Sequence, residues 1–192
     1  NFRMVVTRRL EPVLVKDLKK KMVLLAGPRQ CGKTFFAKRI EKAFQSFAYY
    51  NWDIAQDRKI LMRSELDAGK QLWVFDELHK YRRWRNWLKG GYDAHHESHS
   101  ILVTGSAKLD VYSRGGDSLQ GRYFFHRMHP FSVGELTGNH KSDVFSFFHH
   151  IPADWKHAQS TLLDLLKFGG FPEPFLSQSQ VESERWRNQY GT

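Results

Sequence analysis

Eight consecutive residues, Gly27-Pro28-Arg29-Gln30-Cys31-Gly32-Lys33-Thr34, set two glycines, a lysine and a hydroxyl in the spacing G-x-x-x-x-G-K-[ST]. These residue types serve the capture of a polyphosphate, which needs many donors and positive charge in a small space. Gly27 and Gly32 let the backbone turn tightly and aim successive N–H groups inward. A helix opening near Lys33 adds unpaired N–H groups and the positive end of its dipole. Lys33 is placed to reach the β- and γ-phosphate oxygens, and Thr34 offers Mg2+ a hard oxygen ligand. A glycine turn between a strand and a helix is the plainer alternative. The setting argues against it: the apolar run Met22-Val23-Leu24-Leu25-Ala26 comes before the loop, and a helix-like stretch from Thr34 to Phe44 comes after.

Roughly forty residues further on, Leu72-Trp73-Val74-Phe75-Asp76-Glu77 is an apolar run ending in two carboxylates. It reads as a buried parallel strand that delivers acids to its C-terminal end, where open α/β sheets bind ligands. Asp76 is the candidate metal carboxylate of a Walker B motif. Glu77 beside it can polarise an attacking water, which points to hydrolysis as well as binding. A helix cap is the alternative for this acid pair.

Three further segments bear on the same chemistry. Phe47 to Trp52 is a strand candidate between the two motifs. With the glutamate after the metal aspartate, it resembles the additional-strand, catalytic-glutamate branch of P-loop NTPases. Ser100-Ile101-Leu102-Val103 runs into Thr104-Gly105-Ser106. Ser106, with Thr104 second, resembles the γ-phosphate sensor of AAA-type ATPases; a helix-capping hydroxyl is the alternative. Gln120-Gly121-Arg122-Tyr123 resembles the place where AAA-type ATPases offer an arginine to a neighbouring subunit, with Arg114 as the competing candidate.

The full series also includes Pro130-Phe131-Ser132-Val133-Gly134-Glu135-Leu136 and Gly169-Gly170-Phe171-Pro172-Glu173. From about Arg8 to the end it resembles a prokaryotic group of AAA-type ATPases. The resemblance implies an α/β P-loop NTPase with a parallel sheet of order 5-1-4-3-2 and helices on both faces. It also implies ATP and Mg2+ as ligands. Catalytic roles fall to Glu77, Lys33, Ser106 and Arg122. Residues 27–34 hold the nucleotide, and Thr34 and Asp76 hold the metal. In that group a C-terminal domain of poorly known function follows the ATPase core. Here the chain stops at Thr192 and begins at Asn1, so it reads as a fragment: an ATPase core over 1–140, a partial helical lid or linker over 141–192, and no C-terminal domain.

The periodicity predicts a first helix from Leu10 to Lys20 that buries Leu10, Val13, Leu14 and Leu18. Strands are expected near 22–26, 47–52, 72–76, 101–104 and 122–128. Helices are expected near 33–44, 55–68, 78–89 and 107–113, with Gly90-Gly91 ending the third of these. Leu162 to Phe168 reads as a lid or linker helix, and Asn139 to Asp143 as a polar break.

The net charge is +10, and residues 1–50 hold twelve Lys or Arg against three Asp or Glu. Arg3, Arg8, Arg9, Lys16, Lys19, Lys20 and Lys21 could meet DNA phosphates, with a solvated helix face as the alternative. No apolar run is long enough to span a membrane. The single cysteine excludes an intrachain disulfide and fits a reducing, cytoplasmic compartment. His95-His96-Glu97-Ser98-His99 lacks the spacing of a closed zinc site and reads as a solvated loop. Tyr81 to Trp87 reads as a helix packing aromatics onto the sheet, and His79 as a supporting group beside the active centre.

The expected function is Mg-dependent ATP hydrolysis that drives or switches an attached or partner domain. A homo-oligomer would supply the arginine in trans. The rival from another class is a nucleotide-gated DNA-binding module with incidental hydrolysis. A small-molecule or nucleotide kinase is a third possibility.

Overall fold

Five short strands pair into one all-parallel sheet, and their burial explains their sequences. They are β1 (Met22–Ala26), β2 (Phe47–Asn51), β3 (Leu72–Asp76), β4 (Ser100–Gly105) and β5 (Tyr123–Arg127), in the order β2-β3-β4-β1-β5. Read from the other edge, this is the expected 5-1-4-3-2. The computed structural model describes residues 6–106, 109, 119–138 and 155–190. Every residue of β1 and β3 is buried, as an apolar run requires when both faces of a parallel strand are covered. The edge strands β2 and β5 are mostly half-buried.

The helices are α1 (Glu11–Leu18), α2 (Lys33–Ile40), α3 (Ala55–Arg63) and α4 (Trp84–His95). Parallel connections are right-handed. The β1-to-β2 crossover runs opposite in direction to the next two, so α2 lies on one face and α3 and α4 on the other. One apolar cluster joins Met22 and Leu24 of β1 to Leu61 of α3 and to Leu88 and Tyr92 of α4, with no α2 residue in it. Helices thus cover both faces.

The registers align the C-terminal ends of the strands. Ala26 pairs with Gly105, Thr104 with Asp76, and Asp76 with Asn51. This brings the ends of β1, β3 and β4 to one rim of the sheet.

The contacts divide the chain at Met128–His129, and Arg9 and the described residues before it belong with the later residues. In that second unit α5 (Val133–Leu136) opens with a capping box between Ser132 and Glu135. Beyond it come α6 (Trp155–Phe168), α7 (Pro172–Ser177) and α8 (Gln180–Tyr190). The two segments that narrow the family resemblance meet here. Phe131 N donates to Gly170 O at 2.6 Å. A Cβ on Gly170 would stand 2.8 Å from Phe131 O, so no side chain fits there. Arg8 pairs with Glu135 at 3.2 Å, donates to the His129 carbonyl and lies over the Phe131 ring. It is buried, and this withdraws it from the cations proposed for DNA.

Several expected boundaries are corrected. Val13 is 48% exposed, and only Leu14 and Leu18 of α1 are buried. α3 ends at Arg63, where Ser64 turns left-handed (φ 55°). The expected helix over 78–89 is a short 3-10 turn, Leu78–Lys80, followed by α4. Gly90-Gly91 does not end that helix. The row Trp84, Leu88, Tyr92 continues to bury one face across the glycines, and this packing outweighs their cost. His95 falls inside α4, and the His99 ring stacks on Trp73 at 4.0 Å, so that segment is not simply solvated. The helix expected at 107–113, Leu109 apart, and the break at 139–143 lie outside the described residues.

Nothing lies within 4 Å of a Cβ built on Gly90 or Gly91. Gly90→Ala and Gly91→Ala should each stabilise the chain by about 0.5–1 kcal/mol, read as a raised urea midpoint at constant slope. Gly170→Ala should destabilise it by about 1–3 kcal/mol.

Candidate nucleotide-binding site

The loop leaves the buried end of β1 and turns back into α2. A Cβ on Gly27 would stand 2.5 Å from Met128 O, so this position admits only glycine. Gln30 (φ 61°) and Gly32 (φ 92°) are left-handed, which reverses the chain twice within three residues. Cys31 is fully buried, with its Sγ 3.8 Å from Met128 O; it floors the loop as a small apolar side chain. Pro28 is half-buried and Arg29 is exposed. Lys33 is buried, and its Nζ donates to the carbonyls of Gly27 (2.9 Å) and Pro28 (2.7 Å). No side chain caps α2, whose N–H groups open into the loop.

Thr34 and Asp76, 42 residues apart in sequence, meet at this rim: Thr34 Oγ1 donates to Asp76 Oδ2 at 3.0 Å. Asp76 is only 4% exposed. Thr104, fully buried on β4, donates to Asp76 Oδ1 at 2.6 Å. The Tyr49 hydroxyl, from β2, donates to Asp76 Oδ2 at 2.5 Å. Burial, and then the neighbouring Asp76 carboxylate, push the Tyr49 phenol well above its ordinary value. Thr104 therefore serves Asp76, while Ser106 stands beyond the strand end. Tyr49 was not singled out in the sequence. Its signal was a tyrosine at the middle of β2, which acquires meaning only once β2 is known to lie beside β3.

Glu77 adopts a left-handed backbone (φ 57°, ψ 17°), unusual for a residue with a side chain. Its N–H donates to Thr104 O at 2.9 Å, and its carbonyl accepts from Lys80 N at 3.0 Å. The carboxylate lies 3.2 Å from Lys80 Nζ and 3.9 Å from His79 Nε2. Lys80 also meets Asp53 at 2.5 Å; this bond, and then Glu77, hold its ammonium above the ordinary value against the effect of burial. Ser106 Oγ is hydrogen-bonded to His79 Nε2 at 3.1 Å. His79 thus stands between Ser106 and Glu77. Neither Lys80 nor Asp53 belongs to a motif legible in the sequence.

Arg122 lies elsewhere. It precedes β5, at the amino end of the sheet, opposite the loop. Its guanidinium grips Asp93 in two bonds, Nε–Oδ1 at 2.6 Å and NH2–Oδ2 at 3.1 Å, which hold the Asp93 carboxyl below its ordinary value. It is therefore separated from this chain's own loop by the length of a strand. Arg114 lies outside the described residues.

The groups at this rim that could hold a metal are hard oxygens: the Asp76 carboxylate and the Thr34 hydroxyl. Among the described residues no group of three His, Cys, Asp or Glu side chains could hold a metal alone. One carboxylate and one hydroxyl, with phosphates and water completing the shell, is the manner in which Mg2+ is bound beside nucleotides. The residues present fit that ion.

The family model described as an AAA domain matches residues 19–137, more than half of the chain. The chain belongs to this family. No curated protein matches it. Among solved structures it is similar to the Walker-type ATPase PABY2304 of Pyrococcus abyssi, with TM-score 0.57 and 12% identity, over 97% of this chain and 72% of that one. It is similar to the Aeropyrum pernix ORC1 protein, solved in complex with DNA, with TM-score 0.55 and 14% identity, over 97% and 62%. A Thermotoga maritima RuvB variant gives TM-score 0.51 and 17% identity, over 95% and 61%. The chain thus spans less than two thirds of the ORC1 and RuvB chains. At these identities the likeness shows the AAA-type P-loop fold. No helix among the described residues is long and apolar enough to cross a membrane.

A Cβ on Gly105 would lie 2.5 Å from both His79 Nδ1 and Leu109 Cδ1. Gly105→Ala should displace His79 from Ser106 and cost about 1–3 kcal/mol, measured by chemical denaturation.

Proposed function

We propose that this AAA-domain chain binds Mg–ATP on the 27–34 loop and hydrolyses it. The observation that carries this is the meeting of Thr34 with Asp76 beside Lys33, with Glu77 next in the chain. The loop N–H groups and Lys33 bind the phosphates, and the ammonium exchanges its present carbonyl partners for phosphate oxygens. When bound, Mg2+ supplies charge neutralisation on the β- and γ-oxygens. Thr34 and Asp76 hold it, Glu77 accepts the proton of the attacking water, and Ser106 orients that water. Glu77 must first leave Lys80. Arg122 acts on the nucleotide of a neighbouring subunit in a homo-oligomer, once freed from Asp93. Residues 141–192 serve as a lid or linker through which hydrolysis drives or switches an attached or partner domain. We place this activity in the cytoplasm.

A second reading, a nucleotide-gated DNA-binding module, has one observation in its favour. Lys19, Lys20 and Lys21 line a cleft of about 450 Å³ with His96 and His99, at the amino ends of the strands and away from the phosphate loop. Glu97 shares that lining. Nucleotide-dependent DNA binding that weakens steeply with salt, and turnover that DNA leaves unchanged, would favour this reading.

Lys33→Ala should abolish ATP binding in a calorimeter. Glu77→Gln should retain ATP while turnover falls about 100-fold or more. Normal turnover by Glu77→Gln would remove the catalytic assignment. Arg122→Ala should lower turnover at protein concentrations where oligomers form, with ATP affinity unchanged.

A further inference from the structure

We infer that Tyr49 is a positioning residue that sets the Mg2+ affinity of the nucleotide complex by fixing the carboxylate of Asp76. The inference rests on the Mg–ATP reading above and names a group that the loop and acid-pair motifs do not contain. Asp76 is buried, and among the described residues no Lys, Arg or His pairs with it. Among the described residues its charge is met by hydroxyl donors: Thr104 on Oδ1, and Thr34 and Tyr49 on Oδ2. A buried carboxylate balanced only by neutral donors is well suited to a divalent cation, which would supply the missing positive charge.

The donors have different tasks. A hydroxyl can give its hydrogen to one group and its lone pair to another. Thr34 can therefore keep its bond to Asp76 while its oxygen faces the metal. Thr104 and Tyr49 come from β4 and β2, the strands on either side of β3, and each holds one oxygen of the carboxylate. The last torsion of an aspartate is broad and poorly determined by itself. Gripped from both neighbouring strands, the carboxylate plane has one orientation, and a free lone-pair direction is presented to the ion. Partners of this kind, one step removed from the metal, typically change its affinity 10–100-fold. The Tyr49 ring is itself pinned: Lys38 Nζ, on the helix that opens with Lys33 and Thr34, lies over it at 5.4 Å.

Tyr50 provides the internal control. Its hydroxyl accepts from the Asp67 N–H at 3.0 Å, away from Asp76. The test is calorimetric binding of ATP at a series of Mg2+ concentrations and in excess EDTA, for wild type, Tyr49→Phe and Tyr50→Phe. Tyr49→Phe should raise the Mg2+ concentration for half-maximal enhancement of binding about 10-fold or more. Its affinity for metal-free ATP should stay that of wild type, and Tyr50→Phe should keep the wild-type Mg2+ dependence. The half-buried position on an edge strand accommodates Phe. An unchanged Mg2+ requirement in Tyr49→Phe would overturn the inference, as would an equal loss with and without Mg2+, which marks a merely structural role. Wild-type binding that ignores Mg2+ would instead remove the metal site of the proposed function.

Discussion

The arrangement at the sheet rim depends on one buried charge, the Asp76 carboxylate. It stands at the end of a strand whose five residues are all buried, where an unpartnered ion is costly. The fold meets this cost with hydroxyl hydrogens from β2, β4 and the start of α2. That solution is possible only because the strands are parallel and in register, so that three separate segments end at the same height. The same alignment brings the phosphate loop to this rim and leaves Arg122 at the other.

Around this centre the chain departs from easy backbone geometry at three positions. Gln30, Gly32 and Glu77 all have positive φ. The first two shape the loop. The third turns the chain sharply after β3, and the Thr104 carbonyl and the Lys80 N–H hold the turned residue. Close contacts reinforce these turns: Gly27 against Met128 and Gly105 against His79 leave no room for a side chain. In the second unit Gly170 plays the same part against Phe131, where the two segments that narrow the family resemblance meet.

The phosphate loop, the acid pair and the five strands were legible in the sequence because each is local. A glycine spacing, an apolar run and a change of period are all written within a dozen residues. Local preference misleads where distant contacts overrule it. Gly90-Gly91 looked like a helix end, yet Trp84, Leu88 and Tyr92 carry the helix through it by packing on the sheet. His95 to His99 looked solvated, yet Trp73 draws two of its rings inward. Arg8 counted among the free cations until Glu135, in a segment far along the chain, took it.

By itself the sequence determined where a phosphate-loop pattern and an acid pair stand, because such patterns are set by residue type and short spacing. It also determined that the sheet is parallel, through the helices between its strands, and that β1 and β3 are buried, through their apolar runs. Only the tertiary structure decided which groups serve Asp76. Tyr49 and Thr104 reach it from neighbouring strands, and neighbourhood in a sheet follows from order and register, which the residue pattern of a single strand does not encode. The partners of Glu77 and Arg122 were decided the same way, since an ion pair forms where folding brings two charges together, however far apart they lie in the chain.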